Sequence, residues 1–147
     1  MAAALLDVNV LVALFTEAHV HHQVAHDWFA DHAARGWASC PLTENGLIRI
    51  LGNPRRVEQH IPIAQVVALL DRFRRNTKHQ FWPDDVSLTD RKLIDAEAVA
   101  GHQQVADVYL LALAVKRRGR LVTLDAAVPL GTVKGARREH LEVIAAT

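Results

Sequence analysis

The chain has 147 residues, of which 50% are apolar and 22% charged, a balance that suits one globular domain with a single core and excludes a disordered or fibrous polypeptide. Its formal net charge is +1, so bulk charge does not by itself point to nucleic acid. The lone Cys40 cannot form an internal disulfide, which fits a core-packed thiol in a reducing cytoplasm.

Ala3-Ala4-Leu5-Leu6 marks an expected first strand near residues 2 to 6. No basic residue precedes this run and Asp7 interrupts it, so neither a signal peptide nor a membrane span is expected. Amphipathic spacing then predicts helices over 10 to 16 and 21 to 34, the second carrying Val24, Ala25, Trp28 and Phe29 on its apolar face. A strand near 37 to 41 leads into a helix over 43 to 51, closed by Gly52-Asn53-Pro54. Next come a helix over 62 to 76 and a strand over 80 to 82 that ends at Pro83, with Phe81 and Trp82 expected in the core. Helices over 89 to 99 and 106 to 118 follow, with Gly119 as the stop of the latter. Strands near 121 to 124 and 141 to 145 complete the chain. Strand-like runs alternating with helices predict a parallel sheet covered on both faces, in one compact α/β domain over 1 to 147.

Four carboxylates sit where these apolar segments end or turn. Asp7 and Asp125 close the runs Ala3 to Leu6 and Leu121 to Leu124, and ligands of open α/β sheets bind beyond such strand ends. Glu44 is followed by Leu47, Ile48 and Leu51, and Asp107 by Leu110, Leu111, Ala114 and Val115, so each acid heads an apolar helical stripe. Taken singly, an acid near a helix start is as readily a cap or a dipole partner. Taken together they predict a shared pocket. Two like charges about 4 Å apart repel by about 4 kcal/mol at an effective dielectric near 20, so such a cluster takes up protons or holds a cation. Oxygen-only ligands favour Mg²⁺ or Mn²⁺ over zinc.

With these acids placed, the chain resembles the PIN-domain ribonucleases, specifically the VapC toxins of bacterial toxin-antitoxin pairs. The resemblance runs nearly end to end through LLDVNVLVALF around Asp7, LTENGLIRIL around Glu44, QVADVYLLALAVKRRG around Asp107 and RLVTLD ending at Asp125. It implies a three-layer α/β/α sandwich with a central parallel sheet, and an endoribonuclease that hydrolyses RNA with Mg²⁺ or Mn²⁺. It further implies a cognate VapB-type antitoxin, a homodimer and tRNA as a target. Matched residue by residue, Asp7, Glu44, Asp107 and Asp125 correspond to the catalytic acids, with Asp7, Asp107 and Asp125 as metal ligands. Asn9, Thr43 and Thr123 correspond to polar neighbours of those acids, although either hydroxyl could instead bond to local backbone. Arg49, a turn and a residue beyond Glu44, could reach a phosphate or pair at the surface. The sequence departs from the family where a further Asp or Asn often follows the fourth acid, since Asp125 leads into Ala126-Ala127-Val128-Pro129. Position 9 is Asn and position 106 is Ala, where Asp and a hydroxyl are common. One firmly held metal and a weaker second are expected from that set.

Other constellations carry less. His19, His21, His22 and His26 lack a third ligand at a zinc-like distance. Basic clusters at Arg72 to Lys78 and Lys116 to Arg120 read either as solvated helix ends or as phosphate contacts, and a third at Lys134 to Arg138 as a further place for phosphate contact. His102 and Gln104, just before Asp107, could touch RNA, whereas Asp84, Asp85, Asp90 and Asp95 are read as turn or surface acids. Two rival functions share the acidic pattern. One is a non-enzymatic Mg²⁺-binding signalling module, which needs an acceptor Asp ending a central strand and a Lys closing the last; the other is a DNA-directed PIN-like nuclease.

Overall fold

In the computed structural model, residues 3–56 and 60–144 are described. The first strand, β1 (Ala4–Leu6), feeds directly into α1 (Val8–Phe15), with Asp7 between them as the helix cap. Then follow α2 (His22–His32), β2 (Trp37–Ser39), α3 (Pro41–Leu51), α4 (Ile63–Asn76) and β3 (His79–Phe81). A long connection of turns and short 3-10 segments leads to α5 (Val105–Lys116), β4 (Arg120–Thr123) and β5 (Leu141–Val143). Ala2 and Ala145, at the outer ends of two expected strands, lie outside the described residues.

All five strands are parallel and lie in the order β3-β2-β1-β4-β5. The chain builds outward from β1 through β2 and β3, then crosses to the other side of β1 to add β4 and β5. The direction of winding therefore reverses between β1 and β4. In doubly wound sheets this reversal opens a crevice beyond the carboxyl ends of the two strands, because the helices following them leave on opposite sides.

Side-chain alternation along the strands sorts the core into two layers. Ala4, Leu6 and Val122 pack with α1, α2, α3 and α4, whereas Ala3, Leu5 and Leu121 face α5 and the long connection. This is the expected three-layer sandwich. α5 is buried almost all round, through Val108, Leu110, Leu111, Ala112, Leu113 and Ala114, as a helix clamped between a sheet and its covering loops must be. Fully burying each such leucine contributes about 1.5–3 kcal/mol. The tight helix-to-strand connection after α5 has two separate devices. Arg118 takes the left-handed conformation at φ 57°, and Gly119 follows because a Cβ there would meet the Ala3 carbonyl oxygen at 2.5 Å and the Trp82 ring at 2.8 Å. Gly119 thus serves close approach, not the positive φ expected of a helix stop.

Two expectations fail. No helix forms over 89 to 99: only Ala96–Ala98 is helical, as a 3-10 turn. The Asp90 carboxylate accepts the Lys92 backbone N–H at 3.0 Å, and the chain at 93–95 pairs instead with 132–134 through Asp95 N–H to Thr132 O (2.9 Å) and Lys134 N–H to Leu93 O (2.7 Å). Side-chain capture of backbone groups and a bridge between Ile94 and Val133 outweigh helix propensity there. Phe81, expected in the core with Trp82, is 46% exposed on edge strand β3, whereas Trp82 is buried. No described helix is long and apolar enough to cross a membrane.

Candidate active site

β1 and β4 deliver their terminal acids to the crevice at the winding reversal. The Asp7 backbone N–H continues the ladder to Val122 O at 2.9 Å, so its side chain leaves the sheet where the strand ends. Asp7 is buried, caps α1 by accepting the Val8 N–H at 2.7 Å, and accepts the Thr123 hydroxyl at 2.8 Å. That hydroxyl is a saturated hub. It spends its proton on Asp7 and receives the Asn9 side-chain amide at 3.2 Å and the Asp125 backbone N–H at 3.0 Å. Asn9 returns to the same strand end by accepting the Leu124 N–H at 3.2 Å. Asp125 is fixed by an Asx turn, accepting the Ala127 N–H at 2.8 Å.

α5 runs back across the sheet and brings Asp107, in its first turn, to the same crevice. Burial raises the Asp107 carboxyl to about 6, helped by the charges of Asp7 and Asp125 and by a hydrogen bond with the Asp125 side chain. Burial likewise raises Asp7, with the Asp125 charge adding to it and the Thr123 and Val8 bonds opposing. The three aspartates thus sense one another, and among the described residues none is ion-paired with a protein cation. Uncompensated like charges at partly buried positions are the electrostatic condition for binding a cation.

Glu44 stands apart from the three aspartates, in the first turn of α3, and its side-chain partners come from β2 and α4. Ser39 Oγ donates to Glu44 Oε2 at 2.5 Å, and Arg74 reaches the same carboxylate at 3.1 Å. Arg74 Nε also donates to His79 Nδ1 at 3.3 Å, and His79 Nε2 lies 2.7 Å from Ser39 Oγ. Since the serine proton is committed to Glu44, His79 donates to it from Nε2 and the ring closes: Arg74 to His79, His79 to Ser39, Ser39 to Glu44, Glu44 to Arg74. Burial and the adjacent Arg74 cation lower His79 to about 4, so it is neutral at pH 7 as this pattern requires.

Thr43 is buried with its hydroxyl turned to the Cys40 backbone, accepting from Cys40 N–H and donating to Cys40 O, both at 3.0 Å. It closes the start of α3 as a capping box. Arg49 is exposed on α3, outside the site's hydrogen-bond network. Asp84, read from sequence as a turn acid, links α3 to α5 by accepting the Leu42 N–H at 3.1 Å and the Tyr109 hydroxyl at 2.8 Å. Cys40 is buried and its thiol is pushed up to about 11 by burial, as suits packing and not nucleophilic chemistry.

The three carboxylates fit a hard divalent ion by chemistry, while the Thr123 hydroxyl and the Asn9 amide oxygen are already taken up by Asp7, Asp125 and Leu124. Among the described residues no three His, Cys, Asp or Glu side chains form a ready-made metal cage.

Residues 4–129 match the PIN domain family model. The chain is 44% identical to Ribonuclease VapC44 of Mycobacterium tuberculosis over 141 residues, covering 96% of this chain and 99% of that protein. It is 46% identical over 125 residues to Ribonuclease VapC38 (85% of this chain, 86% of that protein) and 45% identical over 125 residues to Ribonuclease VapC39 (85% and 90%), both of the same organism. The chain belongs to the PIN-domain family and, within it, to the VapC group.

Proposed function

We propose that this protein is a ribonuclease toxin that cleaves RNA phosphodiesters in a Mg²⁺- or Mn²⁺-dependent reaction and is held in check by a VapB-type antitoxin. The observation that carries the reading is the convergence of Asp7, Asp107 and Asp125 at the winding reversal, where the Asp7 and Asp107 carboxyls are raised and, among the described residues, none of the three is ion-paired with a protein cation. Ribonuclease VapC relatives that match almost the whole chain support the substrate class and the partner.

Asp7, Asp107 and Asp125 would hold the ion. When bound, it supplies an acidified water and neutralises charge on the phosphate oxygens. Asp7 is aimed by Thr123 and by the α1 cap, so its carboxylate needs little reorganisation. Asn9 and Thr123 lock the ends of β1 and β4 to each other and thereby set the Asp7–Asp125 spacing. Asp107, raised first by burial and then by the charges of Asp7 and Asp125, would ionise more readily with a cation held among the three. Glu44, oriented by Ser39 and Arg74, faces the RNA with one side of its charge already balanced. The signalling-module rival needs a Lys closing the last strand, and β5 carries only Leu141, Glu142 and Val143.

Cleavage of a structured RNA such as tRNA, beside a DNA of matched sequence, in Mg²⁺ or Mn²⁺ and in chelator, tests the reading. RNA cut only with metal, leaving the DNA intact, is the expected result. Preferential cutting of DNA would place the protein among DNA-directed nucleases instead.

A further inference from the structure

Among the described residues, Phe81 is the only phenylalanine, tyrosine or tryptophan that stands exposed, at 46%. It lies at the carboxyl end of β3, in register with Ser39 of β2, so the sheet sets it beside the residue that holds Glu44. The Arg74 guanidinium, paired with Glu44 at 3.1 Å, lies over the Phe81 ring at 5.2 Å from its centroid. One guanidinium therefore connects the acidic crevice to a solvent-facing aromatic ring. The surroundings are not those of a hydrophobic docking patch: Gln80 and Lys78 are exposed next to it in sequence, and Arg74 and His79 lie against it or near it. A single aromatic with a cation above it, at the rim of an anionic site, has the composition of a stacking platform for a nucleobase and not of a contiguous protein interface.

We propose that Phe81, with Arg74, forms a stacking subsite for one unpaired base of the RNA beside the cleavage centre. The inference rests on the RNA reading above and adds where the strand is gripped. A π-face accepts any base, so the subsite would select for an unstacked nucleotide and not for a particular sequence. Phe81 is a binding residue in this scheme, and its replacement removes no hydrogen bond of the three aspartates or of the Glu44 ring.

The test is a binding cycle between protein and RNA in chelator at low salt, where no strand is cut. A short single-stranded RNA is compared with versions carrying one abasic nucleotide at each position, against wild type, Phe81→Ala and Phe81→Tyr. Stacking on a half-exposed ring should make one abasic position weaken wild-type binding by about 5- to 10-fold. Phe81→Ala should weaken the intact RNA by the same factor and show no further loss at that position, while Phe81→Tyr restores both. Binding of the intact RNA by Phe81→Ala within about twofold of wild type, or losses that add in full, would overturn the subsite. So would altered self-association of Phe81→Ala with RNA affinity unchanged, which would make this face a protein contact. Coupled binding in a protein that never cuts RNA would leave the subsite standing and remove the cleavage assignment. Cleavage with uncoupled losses would do the reverse.

Discussion

Replacing Thr123 by Val removes a hydroxyl and inserts a methyl of nearly the same volume at a fully buried position, so the change is electrostatic and leaves no cavity. Three hydrogen bonds disappear: one to Asp7 at 2.8 Å, one from Asn9 at 3.2 Å and one from the Asp125 backbone at 3.0 Å. A bond to a charged group contributes about 1.5–3 kcal/mol net, and a buried donor left unpaired costs about 1–3 kcal/mol. Asn9 keeps its bond to the Leu124 N–H and borders the open crevice, so its amide has water to turn to. The expected loss is therefore about 3 kcal/mol, which for a domain of this size lowers the melting temperature by roughly 6–12 °C. Because the Thr123 bond lowers the Asp7 pKa, its removal also raises that carboxyl further. Thermal melts in chelator at pH 7, with carbon-detected NMR titration of the aspartate carboxyls, read both effects. Thr123→Ser, which restores the hydroxyl, should recover most of the pKa change. A Thr123→Val protein that melts with the wild type and titrates Asp7 unchanged would refute the hub.

Asp107 has a folded-state pKa of about 6 against an ordinary 3.8. Its contribution to stability is therefore full below pH 4 and is lost as pH rises through 6. His79, lowered to about 4 from 6.5, acts with the opposite sign over the same window, so the informative comparison is wild type against Asp107→Asn. Between pH 4 and 7 without metal, the variant should gain on the wild type by about 1 kcal/mol after discounting for solvent screening, and a constant difference across that range would count against the coupled carboxyls. Gly119→Ala, whose Cβ would sit 2.5 Å from a backbone oxygen, should cost about 2 kcal/mol or more in a urea melt. Arg118→Gly, at φ 57°, should instead stabilise by up to about 1 kcal/mol in the same assay.

The layered fold was legible because its signals are local. Ala3 to Leu6 and Leu121 to Val122 are short apolar runs whose alternate residues fall into the two cores, and a run that ends in an acid at a strand's carboxyl end already points to the crevice. Asp107 was legible for the same reason, as an acid heading the stripe of a buried helix. The Glu44 ring was not. Ser39, Arg74 and His79 come from β2, α4 and β3, and nothing in their spacing along the chain announces that a crossover will close them around one carboxylate. Arg74 in particular read as one of several cations at a helix end. The segment over 89 to 99 misled because its residues favour a helix in isolation, while Asp90 and the pairing with 132–134 act only in the folded chain. Phe81 misled because an aromatic next to a buried Trp82 looks like core until the strand order puts β3 at the sheet edge.

The central claim is that Asp7, Asp107 and Asp125 act together as a metal-dependent RNA-cleaving centre. The most direct measurement is the rate of RNA cleavage by wild type, Asp7→Ala and Asp107→Ala, each verified as folded, during titration with Mg²⁺ or Mn²⁺ after chelator treatment. Metal should restore cutting to the wild type alone, with each variant slower by about two orders of magnitude or more. Undiminished cutting by either folded variant, or by wild type in excess chelator, would contradict it.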